Sequence, residues 1–133
     1  MKISRVESYP LFLCRPSAGF PAPSDDSVDK YLNIHDLLIR NPSATFFVRV
    51  EGDSMEGAKI FSGDVLVVDR SVIPKTGSIV VAAIYGEMVV KRLLISTEAS
   101  FLVSEKEGYE PIVLTDNEDC FIWGVVIGSA RVF

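Results

Sequence analysis

From Thr45 onward the chain is a succession of β-branched and aromatic runs, and this pattern constrains its fold more than any other feature. The runs are Thr45–Val50, Val65–Asp69, Ser78–Ile84, Met88–Ile95, Phe101–Ser104 and Phe121–Val132, with turn signals between them. Tyr85-Gly86-Glu87, between two of them, predicts a tight hairpin turn. Residues 1–30 read differently. Pro10, Pro16, Pro21 and Pro23 prevent a continuous helix, and Ser24-Asp25-Asp26-Ser27 is polar and rich in breakers. Tyr9, Leu11, Phe12 and Phe20 give this extended segment apolar hooks with which to dock. A short helix is predicted to begin at Asn33, with Asp36 near its positive end, an apolar stripe of Ile34, Leu37 and Leu38, and Pro42 as its stop. The expected architecture is mainly β. An extended N-terminal arm (1–30) precedes a curled antiparallel domain (31–133) that opens with one short helix.

Composition limits what such a domain does. The chain has 133 residues, 48% hydrophobic and 23% charged, which is enough for a single core. Its net charge of −5 (13 − 18) leaves no basic stripe to track phosphates and argues against direct nucleic-acid binding. Cys14, Cys120 and the single His35 make no recognisable metal cluster, so two free thiols in a reducing cytoplasm are expected. No apolar run approaches the roughly 18–20 residues of a membrane span. Leu11-Phe12-Leu13-Cys14 is too short for a secretory signal, and Pro16 stands where a small residue is needed before a cut at Ala18.

The chemistry-bearing residues are Ser54, in Gly52-Asp53-Ser54-Met55, and Lys91, 37 positions later (91 − 54). An unperturbed lysine, with a pKa of about 10.4, is almost always protonated at neutral pH. Desolvation can lower that pKa by up to about 3–5 units and make the amine a general base for a serine. If Met88–Ile95 is a strand, Val89, Lys91 and Leu93 share one face, apolar apart from the amine. Ser54 follows a strand and Gly52, and a short helical turn from Met55 to Ile60 would expose its hydroxyl. The backbone N–H groups of Asp53 and Ser54 are candidates for an oxyanion hole. This pairing requires no cofactor and no metal. Arg92 stays protonated and is expected to be a solvated or partner-facing charge. His35 and Asp36 adjoin in sequence and are expected on different helix faces, which argues against a Ser-His-Asp triad. Met55 reads as packing beside the nucleophile. Asp64 and Asp69 read as turn and strand-end residues rather than metal ligands.

These residues sit within a wider resemblance. Pro10-Leu11-Phe12, Ala18-Gly19-Phe20-Pro21 with Pro23, Leu37-Leu38-Ile39 through Pro42-Ser43-Ala44-Thr45, and the stretch from Phe47 to Leu93 fall in one order. Within that stretch lie Gly52-Asp53-Ser54-Met55, Gly63-Asp64, Val67-Val68-Asp69, Gly77 and Val90-Lys91, and Gly124-Val125-Val126-Ile127 closes the pattern. From Tyr9 to Arg131 the chain resembles the UmuD branch of the LexA-type self-cleaving serine peptidases. The resemblance implies a Ser54-Lys91 dyad and a homodimer. It also implies an SOS-mutagenesis role in which the RecA–single-stranded-DNA filament stimulates self-cleavage and the trimmed form joins a Y-family translesion polymerase subunit of the UmuC kind.

Family members cut between a small residue and glycine, which makes Ala18-Gly19, 36 residues before Ser54 (54 − 18), the expected scissile bond. A small side chain fits a narrow pocket, and glycine bends into a cleft without a Cβ clash. Alanine at this position is typical of LexA-like repressors, whereas UmuD-type relatives can carry cysteine. Two alternatives remain open on the sequence: a LexA-like transcriptional repressor fragment, and a non-catalytic dimerisation module.

Overall fold

The computed structural model describes residues 7–14 and 28–133, so Ala18-Gly19 lies outside the described residues. The chain forms two compact units that divide after Arg40.

In the first unit, β1 (Tyr9–Phe12) pairs antiparallel with β2 (Val28–Leu32), with Tyr9 opposite Leu32 and a register shift between Leu11 and Phe12. Within the segment expected to be an extended arm, Tyr9–Phe12 is extended and paired with Val28–Leu32. Strand pairing across a long intervening segment leaves no local periodicity to read. Helix α1 (Ile34–Leu38) follows, and the Asn33 side chain accepts a 3.1 Å hydrogen bond from the Asp36 N–H. The helix ends four residues before Pro42. Its last turn closes through the Ile39 N–H to the His35 carbonyl, and Pro42 instead opens a 3-10 turn over Pro42–Ala44. Proline has no N–H to lose at a helix start, so it suits that position.

The second unit is a seven-stranded antiparallel sheet in the order β3-β4-β9-β5-β6-β7-β8. Its strands are β3 (Thr45–Arg49), β4 (Val65–Asp69), β5 (Ile79–Ile84), β6 (Glu87–Ile95), β7 (Ser100–Val103), β8 (Ile112–Leu114) and β9 (Cys120–Ala130). The expected runs lie within one or two residues of these bounds. The three-residue β8 was not anticipated, being too short to show alternation. Ile84 faces Glu87 across a two-residue turn in which Tyr85 and Gly86 both take positive φ, 48° and 84°, the combination that matches strand twist.

Strand alternation sends neighbouring side chains to two cores. Val81 joins Val50, Met55, Ile60, Leu66 and Val68 in one. Val80 and Ala82 join Leu93, Leu102 and Val125 in the other. The long β9 pairs with both β4 and β5, and its register shifts opposite Val67/Val68 and again opposite Val81/Ala82. Such irregularities bend a strand and strengthen local twist, which curls the sheet. Among the described residues, no helix is long and apolar enough to cross a membrane.

Two buried carboxylates stitch the strand ends. Asp69 accepts from the Ser71 N–H and hydroxyl at 2.8 and 2.6 Å and from Asn41 at 2.9 Å. Asp64 accepts from the Phe61 N–H at 2.9 Å and from two donors on one edge of the Arg131 guanidinium, Nε at 2.7 Å and Nη2 at 2.8 Å. These partners account for both residues as turn and strand-end groups. Arg131 holds the Asp64 carboxyl down to a pKa of about 2, against an ordinary 3.8. A depressed carboxylate contributes stability above its unfolded pKa and loses it as pH falls through the folded value. Urea-unfolding midpoints should therefore drop between about pH 4 and pH 2. In Asp64→Asn the midpoint should be lower at neutral pH and its decline across that window should flatten.

Candidate active site

The turn carrying Ser54 hangs between β3 and a 3-10 turn at Glu56–Ala58. Its base is fixed by exchange between Val50 and the β4 approach: the Val50 N–H donates to the Asp64 carbonyl at 2.9 Å, and the Gly63 N–H to the Val50 carbonyl at 2.8 Å. Gly52 takes a φ of 90°, in the left-handed region that glycine enters without strain. Met55 is 2% exposed and packs into the first core, which pins the turn immediately after the half-buried Ser54. Met55 thus packs as the sequence suggested.

Lys91 lies on β6 opposite Val80 of β5 and is only 9% exposed. Burial lowers its pKa from the ordinary lysine value. Ser54 and Lys91 both line a cleft of about 490 Å³, walled by the end of β3 (Val48–Glu51) and the start of β6 (Met88–Lys91). The lysine Nζ donates a 2.6 Å hydrogen bond to Ser104 Oγ and lies 5.0 Å from the centre of the Tyr109 ring. The structure therefore brings the predicted serine and lysine to one cleft, with a buried amine.

A segment absent from the sequence reading completes the site. The Glu105 N–H donates to the Ser54 carbonyl at 2.7 Å, and the Gly57 N–H returns a bond to the Glu105 carbonyl at 2.7 Å. The loop after β7 is thereby laced to both sides of the serine turn. Side chains repeat the connection, since Asp53 accepts from Lys106 Nζ at 2.6 Å and from the Tyr109 hydroxyl at 2.5 Å. Lys106 also reaches Glu56 at 3.2 Å. The ammonium of Lys106, then the Tyr109 hydroxyl, hold the Asp53 carboxyl below its usual range; in return Asp53 raises the pKa of both partners. Arg92, expected to be solvated or partner-facing, instead pairs with Glu105 and donates to the Gly77 carbonyl at 2.6 Å. Its guanidinium braces the same loop.

The remaining candidates fall elsewhere. His35 Nδ1 lies 3.5 Å from Asp36 Oδ1, so these neighbours do meet, contrary to the expectation of separate faces. Both are exposed on α1, in the unit that does not carry Ser54. Among the described residues no group of His, Cys, Asp and Glu is arranged to hold a metal, and Cys14 and Cys120 are free thiols.

The Peptidase S24-like family pattern matches residues 10–127. The chain belongs to the S24-like peptidase family. It is 48% identical over 126 residues to Protein MucA of Salmonella typhimurium, covering 95% of this chain and 86% of that protein. Protein ImpA of Shigella flexneri is 49% identical over 91 residues, 67% of this chain and 63% of its own. The LexA repressor of Shewanella sediminis (strain HAW-EB3) is 34% identical over 116 residues, 86% of this chain and 56% of its own. The family named from the motif blocks is the one found.

The lacing of this S24-like peptidase depends on a close backbone approach at Gly57. A Cβ there would sit 2.4 Å from the Glu105 carbonyl oxygen, a backbone atom that cannot swing aside. Gly57→Ala should cost about 1–3 kcal/mol of stability, in the range of an overpacked site. The loss should read as a lower urea midpoint, with faster amide exchange at Gly57 and Glu105 than in the native chain.

Proposed function

We propose that this S24-like peptidase is a self-cleaving SOS-response protein that cuts its own arm between Ala18 and Gly19, with Ser54 as nucleophile and Lys91 as general base. The observation that carries this reading is a desolvated lysine amine sharing one cleft with a serine on a braced turn. Neutral Lys91 takes the Ser54 hydroxyl proton as Oγ attacks the Ala18 carbonyl carbon. The tetrahedral oxyanion is met by backbone N–H groups, for which Ser54 and Asp53 are the candidates. Collapse breaks the Ala18–Gly19 bond, and the lysine proton passes to the departing Gly19 amine. Water, deprotonated by the same amine, then hydrolyses the Ser54 ester.

Similarity to MucA and ImpA supports the SOS assignment, and through the resemblance to the UmuD branch it extends to the partners. The RecA–single-stranded-DNA filament would stimulate cleavage by favouring the arm-docked, water-excluded cleft, where burial lowers the lysine pKa further. The trimmed homodimer would then serve a Y-family translesion polymerase in the bacterial cytoplasm. No direct nucleic-acid contact is required of this acidic chain.

Mass spectrometry before and after incubation with activated RecA should show a fragment starting at Gly19 with 115 residues (133 − 18). Ser54→Ala and Lys91→Ala should each abolish that product while keeping the circular-dichroism spectrum of the native chain. Normal processing of either variant would end the assignment.

The pH dependence has a definite sign. Because Lys91 acts only when neutral, single-turnover self-cleavage without RecA should accelerate as pH rises and then level off. Its midpoint should lie below about 10.4, the unperturbed lysine value. A rate that is flat or falls with rising pH would contradict lysine as the base.

A further inference from the structure

A neutral primary amine carries two N–H donors and one lone pair at tetrahedral corners, and only the lone pair can accept a serine proton. On a flexible four-carbon stem the amine turns freely unless its donors are held. In Lys91 two directions are occupied. Nζ donates to Ser104 Oγ at 2.6 Å, the only hydrogen bond from this amine among the described residues, and it lies over the Tyr109 ring, 5.0 Å from the centroid, where the ring face offers a weak partner to a second N–H. The third corner remains for the cleft that Lys91 shares with Ser54.

The backbone explains why Ser104 stands there. In the β6–β7 pairing Arg92 faces Val103 and Leu93 faces Leu102. Continued by one residue, that register sets Ser104 opposite Lys91, on the same face of the sheet. The next residue, Glu105, is bonded through its N–H to the Ser54 carbonyl at 2.7 Å. Adjacent residues thus hold the amine and the nucleophile turn in one frame.

We infer that Ser104 is a positioning residue for the reaction: its hydroxyl orients the Lys91 amine so that the lone pair faces the Ser54 hydroxyl. The inference rests on the Ser54-Lys91 reading of the site. It also has a signature that simple packing lacks. The hydroxyl favours the protonated amine by accepting its N–H, so removing it makes the ammonium less well solvated and moves the lysine titration to lower pH. The other titratable and charged groups about the amine are Tyr109, on the loop after β7, and Arg49 and Glu51 across the cleft, while Glu105 is engaged by Arg92. All of these remain in place in a Ser104 variant.

The test is single-turnover self-cleavage of the full chain between roughly pH 6 and pH 11, comparing the native protein with Ser104→Ala, Ser104→Thr and Ser54→Ala. Ser104→Ala should lower the high-pH plateau roughly tenfold or more while shifting the midpoint to lower pH. Ser104→Thr, which keeps the hydroxyl, should recover most of the native plateau and midpoint. A folded Ser104→Ala protein with a native plateau overturns the inference, as does one whose plateau falls with an unmoved midpoint. Ser104→Cys keeps the volume with a weaker acceptor and should move both quantities in the alanine direction. Native values in that variant overturn the inference even if the alanine variant does not fold. Continued cleavage by Ser54→Ala is a separate result, because it removes the dyad reading itself and the role of Ser104 with it.

Discussion

Burying a lysine amine costs free energy, and the surroundings of Lys91 are organised around that cost. Desolvation disfavours the charged form, so the same burial that destabilises the ammonium raises the fraction of free amine. The chain meets the cost on a strand deep in the sheet. β6 is held by β5 on one side and β7 on the other, and Val89 and Leu93 flank Lys91 on its own face. A strand fixed on both edges cannot twist to return the amine to water, and the Ser104 hydroxyl satisfies one of its donors without supplying a counter-charge.

In the proposed mechanism the serine has the opposite problem, since it must be exposed enough to meet a peptide but rigid enough to meet an amine. The turn from Gly52 to Ala58 has little core of its own beyond Met55 and Ala58. Its rigidity is borrowed from the loop after β7, through the paired backbone bonds at Glu105 and through Asp53 held by Lys106 and Tyr109. Exposed ion pairs of this kind are individually weak. Here they act beside two backbone bonds on a short turn, so each has little chain entropy left to overcome. Tyr109 belongs to both halves of the site, with its hydroxyl on Asp53 and its ring by Lys91.

Much of the sheet was legible because alternation is a local signal. Val89, Lys91 and Leu93 could be assigned to one face by counting twos, and Val65–Asp69 shows its bounds in composition alone. The turn that carries Ser54 was legible from Gly52. The roles of Ser104, Glu105, Lys106 and Tyr109 were not: Ser104 showed only as the end of the run Phe101–Ser104, and the partners of the other three lie far away in sequence. Lys106 and Tyr109 meet Asp53 across separations of 53 and 56 residues. Strand register could have found one of them, since Ser104 follows from extending the β6–β7 pairing, but register is itself a product of the fold. Arg92 was misjudged for a related reason. Its charge suggested solvent, and its partner Glu105 lies on the same unforeseen loop.

The two lysines near Ser54 are pushed in opposite directions by their surroundings. Lys91 is pushed below the ordinary lysine pKa by burial, and Lys106 is raised above it by the carboxylates of Asp53 and Glu56. As pH rises, Lys91 therefore loses its proton first, while Lys106 remains charged and keeps its hold on Asp53. Had the order been reversed, rising pH would have loosened the turn that carries Ser54 before it freed the Lys91 amine. Separation in opposite directions leaves a pH interval in which the Lys91 amine is free and the frame is intact, the condition the proposed mechanism needs. Further desolvation of the cleft widens that interval from below, because it acts on the buried amine and leaves the exposed Asp53–Lys106 pair in water.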